Sequence, residues 1–234
     1  VTIHPSDLPV GNASYYIEAV DYSDNTYKTD TIQATVETGI KPGYSNDFEN
    51  GADGFVFGGK TPMWEVGVPT YGPKSVPSGS NVVGTRLNGN YEGLVNSLLI
   101  SPPIDLSDAT SDSILRFKDW SELDNYMGGF EDTAEVWIGE IPENSSSTDQ
   151  IVYGQKPALI NKYSKSFWQE HYIDLSPYKG KKIIVMFALR WAGYSERKTA
   201  GYYIDDFKLE ALTNDIPLPP SNGLSAENFV GSGK

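Results

Sequence analysis

The chain has 234 residues, with 18 Lys and Arg against 31 Asp and Glu, a formal net charge of −13. That surplus of acid argues against nucleic acid or an anionic membrane as a partner, since both need a basic surface to neutralise phosphate, while 38% apolar and 12% aromatic residues suffice for a core and argue against wholesale disorder. There is no cysteine, which removes thiol catalysis, disulfide scaffolds and thiolate metal sites, and no run of ~18 apolar residues offers a membrane span.

In chain order, the first residues, Val1-Thr2-Ile3-His4-Pro5, lack the charged and apolar stretches of a signal peptide, so the expectation is an intracellular protein or an excised piece of something longer. Tyr15 to Val20 alternates, Ser23-Asp24-Asn25 turns, and Thr26 to Val36 alternates back, which predicts a hairpin. An isolated hairpin is marginal in water, so residues 1–38 are expected to be the last strands of a domain whose other strands lie upstream or in a neighbour. Residues 39–43 follow as a linker. From 44 to 211, 23 Gly and 15 Pro in the whole chain punctuate short runs of Val, Ile, Tyr, Phe and Trp. The clearest strands are Leu94 to Ile100, Ile114 to Trp120, Ala134 to Ile138, His171 to Leu175, Ile183 to Trp191 and Tyr202 to Leu209. No helical apolar stripe competes with them, so the fold predicted is all-β, an antiparallel sandwich. Residues 212–234, with Ile216-Pro217-Leu218-Pro219-Pro220, read as a stiff linker and the beginning of a further repeat.

The middle segment carries a more specific pattern. It opens on Asp47-Phe48-Glu49-Asn50-Gly51 and Gly54-Phe55, passes Trp64-Glu65, Leu98 to Leu106, Leu115-Arg116-Phe117, Val136-Trp137-Ile138 and Ile173-Asp174-Leu175, and closes on Gly201-Tyr202-Tyr203-Ile204-Asp205-Asp206-Phe207. That order resembles the MAM-type jelly-roll modules in their bacterial form, found after the catalytic domains of secreted proteases of the bacillopeptidase F and immune inhibitor A families. The first segment resembles the closing strands of bacterial immunoglobulin-like modules, and the last the start of a fibronectin type III repeat. The resemblance implies a jelly roll in a secreted bacterial protein, serving as a non-catalytic accessory domain of a protease, subtilisin-like by the better fit and a zinc enzyme otherwise. Its partners would be a protein substrate or a cell-wall polymer, and the neighbouring domains of the same chain.

The residues themselves raise an electrostatic problem. Strict alternation along the last strand puts Tyr203, Asp205, Phe207 and Leu209 on one face, which would carry Asp205 into the core beside Phe207. A lone buried carboxylate costs several kcal/mol or takes up a proton. Asp47 and Glu49 share a face of the opening strand, and in a jelly roll whose first and last strands are neighbours they approach Asp205 and Asp206. Calcium, which takes ~6–8 oxygens in loose geometry, would relieve the crowding. Solvated acids with one arginine partner are the alternative. A second acidic group, Asp119, Glu122, Asp124, Glu131 and Asp132, brackets a Gly-containing loop at Tyr126 to Phe130. It reads as a solvated loop, or, through Asp119, Glu122 and Asp132, as a second cation or recognition site.

No catalytic grouping is legible: His4 and His171 are the two histidines, and there is no Gly-x-Ser-x-Gly elbow, zincin helix or phosphate loop. Paired-carboxylate hydrolysis stays open, because acids are plentiful and their separation is invisible in sequence. Among the aromatics, Trp120 and Trp137 are the candidates for stacking a ligand on a sheet face, with core or rim packing as the competing reading. Three functions follow: an accessory domain of a protease, a carbohydrate-binding module, or an adhesion and assembly module.

Overall fold

The computed structural model describes residues 11–36, 39–91, 95–126, 130–143, 151–190 and 199–212. His4, Trp191, the centre of the 126–130 loop and the fibronectin-like segment from 213 onward lie outside them.

Residues 11–36 form two small antiparallel pairs, Gly11–Tyr15 with Ile32–Val36 and Glu18–Val20 with Thr26–Lys28. The predicted single strand from Tyr15 to Val20 is therefore split in two. Residues 14–33 are exposed throughout, apolar side chains such as Ile17, Tyr22 and Tyr27 included.

From residue 40 the chain builds two antiparallel sheets. One runs in the order Val152–Tyr153, Thr133–Ile141, Lys182–Arg190, Asn96–Ile100, Val56–Gly59, with Leu159–Asn161 and Ile104–Asp105 attached. The other runs Lys165–Asp174, Ser113–Glu122, Gly201–Ala211, Val82–Thr85, Trp64–Gly67, with Ser45–Asn46 on the closing strand. Their inner faces meet in one core containing Phe48, Leu99, Phe117, Val136, Phe187, Tyr202, Phe207 and Leu209. Phe117 lies edge-on to Phe187 and Phe55 to Phe207, each with centroids 5.1 Å apart. The all-β antiparallel sandwich expected from punctuation and alternation, and the jelly roll implied by the resemblance, are the fold observed. Val56–Gly59, Trp64–Gly67 and Val82–Thr85 escaped the sequence reading, since each is only 4 residues long, too short to show a period.

The closing strand departs from the predicted alternation. Arg116 pairs with Lys208 and Lys118 with Asp205, so Asp206 and Phe207 together face the single residue Phe117. This is a β-bulge, and Asp206 takes φ 53° to make it. The side-chain phase reverses across it. Tyr202 and Ile204 before it, and Phe207 and Leu209 after it, all enter the main core. Asp205 instead shares the outer face with Tyr203, which packs in a second cluster with Val82, Leu87, Trp120 and Ala200. Asp205 is buried, then, but not in the core beside Phe207.

That second cluster depends on a missing side chain. Gly84 is paired with Tyr203 across the ladder, and a Cβ there would overlap the Tyr203 ring. Gly84→Val should cost about 1–3 kcal/mol by overpacking, read as a lowered thermal midpoint; a midpoint equal to that of the parent would show that the ring can move aside.

Candidate functional site

The opening and closing strands are neighbours, as the jelly-roll reading required: Ser45 and Asn46 pair with Lys208 and Phe207. After Asn46 the chain turns sharply. Phe48 adopts φ 57°, its amide donates to Asn46 Oδ1 at 2.7 Å, and the Glu49 amide donates to Asp47 Oδ1 at 3.2 Å. A bulky residue in the left-handed region costs of order 1–3 kcal/mol and persists only when its surroundings hold it there. Here burial of the Phe48 ring against Phe55, with centroids 5.5 Å apart, does the holding.

The turn delivers Glu49 to the loop before Val82. Its Oε1 accepts from the amides of Ser80 at 2.8 Å and Asn81 at 2.6 Å, and Asn81 Nδ2 donates to the Glu49 carbonyl at 3.2 Å. Gly79 sits beneath this carboxylate, where any Cβ would run into it. Asp205 reaches the same loop from the other side, its Oδ2 accepting from the Ser78 amide at 3.3 Å and its Oδ1 from the Asp206 amide at 2.7 Å. Asp205 is fully buried, and burial pushes its carboxyl up to about 7 despite those two amides. Asp206 goes the other way. Burial acts to raise it, but Lys118 Nζ at 2.9 Å and Lys208 Nζ at 3.6 Å hold it below the usual carboxylate range.

The four acids singled out in the sequence therefore divide. Glu49 and Asp205 converge on Ser78 to Asn81, Asp206 is neutralised by two lysines, and Asp47 is exposed beside its own turn. Among the described residues no three acids or histidines gather around one point. The expected crowding of three or four carboxylates is thus relieved in part by lysine, a partner that the sequence reading did not weigh. What remains is one buried carboxylate, Asp205, with no ion pair of its own among the described residues, one carboxylate, Glu49, folded over Gly79, and the loop that both contact.

The second acidic group is no loop cluster. Asp119 points into the sandwich, 1% exposed, where Oδ1 meets His171 Nε2 at 2.8 Å and Oδ2 accepts from Asn161 Nδ2 at 2.9 Å and Tyr202 OH at 3.2 Å. Burial, then the neighbouring Asp119, hold the Tyr202 phenol well above its ordinary value. Asp132 is buried too, with the Tyr91 hydroxyl donating to it, and burial lifts its carboxyl to about 6. Glu122 takes the Ala200 amide at 3.1 Å. The solvated-loop reading fails for Asp119 and Asp132, and the three acids engage three different sets of partners. His171, stacked on Phe117 at 5.2 Å and 3% exposed, is a core residue. Neighbouring charges had suggested a loop; the alternation that carries Phe117 inward carries Asp119 inward as well.

The two tryptophans differ. Trp120 is 5% exposed and packs edge-on to Tyr203 at 5.3 Å, with Val76 and Trp168 against the same cluster, so it has no face for a ligand. Trp137 is half-buried on the outer face of the seven-stranded sheet. Among the described residues no helix is long and apolar enough to cross a membrane.

No family model matches the chain. Bacillopeptidase F of Bacillus subtilis (strain 168) is 36% identical to it over 206 residues, a stretch that covers 87% of this chain and 13% of that relative. Among solved structures, the K1 cleaved adhesin domain of Lys-gingipain from Porphyromonas gingivalis W83 aligns with a TM-score of 0.48 and 17% identity, over 73% of this chain and 98% of that one. The C-terminal family 22 carbohydrate-binding module of Clostridium thermocellum Xyn10B aligns with a TM-score of 0.44 and 11% identity, over 72% and 92% respectively. The chain is thus similar to one segment of bacillopeptidase F and spans 13% of that relative's length.

Proposed function

We propose that this chain is a non-catalytic, calcium-stabilised accessory domain of a secreted serine protease, positioning that enzyme on a protein substrate or a cell-wall polymer. The kinship with a peptidase of which it spans 13% supports the accessory role. So does the interior, where the one described histidine is buried against Asp119 and Phe117. The work of such a domain is positional, raising the effective concentration of substrate around a catalytic unit elsewhere in the same polypeptide.

The observation that carries the calcium part is the buried Asp205 carboxylate facing the Ser78 to Asn81 loop opposite Glu49. Asp205 and Glu49 would hold the ion, with carbonyl and hydroxyl oxygens of the loop completing the shell. Asp206 stays with its lysines, and Asp47 serves the turn. The ion would supply countercharge and tie the first strand to the last.

Thermal or urea unfolding with calcium and with chelator tests this. At ~100 times the dissociation constant, calcium should add ~2.7 kcal/mol, and Asp205→Asn should abolish the increment. Identical curves with and without calcium would refute the site.

A further inference from the structure

We propose that the outer face of the seven-stranded sheet is a saccharide-binding platform centred on Trp137. This deepens the accessory-domain reading and rests on it, by naming the surface and the chemistry through which a polymer is held.

An antiparallel sheet with one face in the core normally shows polar residues on the other. This one does not. Cross-strand register places Trp137 beside Met186, Met186 beside Ile100 and Ile100 beside Val56, an apolar row across four strands. The next row is Glu135, Ala188, Leu98 and Gly58, and the third is Thr133, Arg190 and Asn96. The strand Lys182–Arg190 is correspondingly apolar on both faces. Val56 remains 57% exposed, Trp137, Leu98 and Ile100 are half-buried, and Met186 and Ala188 between them are buried, so the accessible surface lies at Trp137 on one side and at Leu98, Ile100 and Val56 on the other. At one end the platform is closed by Ile151 and Tyr153, which lie so close over Gly139 that a Cβ there would overlap them.

The polar groups beside this row are organised around one carboxylate. Glu135 is 8% exposed; its Oε2 accepts from Trp137 Nε1 at 2.6 Å and Arg190 Nε at 2.9 Å, and its Oε1 from Thr133 Oγ1 at 2.7 Å. The indole is thereby fixed before any ligand arrives, which lowers the entropy cost of binding. Because Arg190 offsets Glu135, the site has no net charge. At the end of the third row, Asn96 Oδ1 is buried and has no hydrogen-bond partner among the described residues, so the accessible polar groups of the face are those around Glu135 and Arg190.

An apolar stripe flanked by neutralised, fixed donors and acceptors suits a pyranose ring, whose C–H face lies on the indole while its hydroxyls reach Glu135 and Arg190. An extended peptide suits it less. Strand addition needs a free backbone edge, and Thr133–Ile141, which carries Trp137, is paired on both sides, the edge of this end of the sheet lying three strands away at Val56–Gly59. The net charge of −13 disfavours a polyanion.

Titration calorimetry of the whole chain against chitohexaose and cellohexaose tests the platform and distinguishes an amino-sugar wall glycan from a plain glucan. Binding of either is expected, weakened at least ~10-fold by Trp137→Ala and less by Trp137→Tyr, with the thermal midpoint checked for each variant. Arg190→Ala gives a second reading away from the indole and should weaken binding several-fold. Failure of both sugars to bind, or binding that survives both alanine variants, overturns the platform and leaves the calcium response untouched. Casein binding that is lost with Trp137→Ala overturns it as well, in favour of peptide recognition on the same face.

Discussion

Replacing Asp119 by alanine is expected to destabilise the fold by about 3–5 kcal/mol. Its two oxygens receive His171, Asn161 and Tyr202, all of them buried. Each buried donor left without an acceptor costs ~1–3 kcal/mol, and the void adds to that. Asp119→Asn should cost less, since one oxygen remains to accept. Urea denaturation of the two variants against the parent measures the difference. An alanine variant within ~1 kcal/mol of the parent would mean that water takes over the acceptor role.

The second large effect is expected at Phe207, where Phe207→Ala should cost about 3–5 kcal/mol. The ring is fully buried, edge-on to Phe55 at 5.1 Å, with Phe187 and Tyr44 each 6.3 Å away. It follows the bulge at Asp206, and its place in the core is what the reversed phase of the strand secures. Phe207→Leu keeps most of the volume and should lose less than half as much. Loss of the calcium response along with stability in Phe207→Ala would indicate that the ring also holds the bulge in place; a response retained in full would confine its role to packing.

Much of the molecule was legible as sequence. The alternation in Ile114 to Trp120 and Ala134 to Ile138, and the Gly and Pro punctuation between such runs, identify an antiparallel sandwich, because a period of two and a turn are properties of a few adjacent residues. The opening Asp47-Phe48-Glu49 and closing Tyr202 to Phe207 carry the resemblance to jelly-roll modules, which implies that the ends of the domain meet, and Asn46 does pair with Phe207.

What sequence left undecided was the direction and the company of individual side chains. One extra residue at Asp206 turns Asp205 from the core to the outer face, and nothing local in Ile204-Asp205-Asp206-Phe207 announces it, for the bulge exists only relative to the partner strand at Phe117. Lys118 reaches Asp206 across 88 positions of chain, so the lysines that divide the acidic seam could be found only by folding it. Trp120 is covered because Gly84 leaves room for Tyr203 to pack edge-on against it, and Asp119 is matched because three distant partners arrive together. The sequence by itself determined the class of fold, since that follows from local periodicity and composition, while the meeting of the domain's ends was implied by the resemblance to jelly-roll modules. Tertiary structure alone decided which carboxylates are neutralised, which are buried and which aromatic stays open, since those depend on long-range register and on the solvent that packing removes.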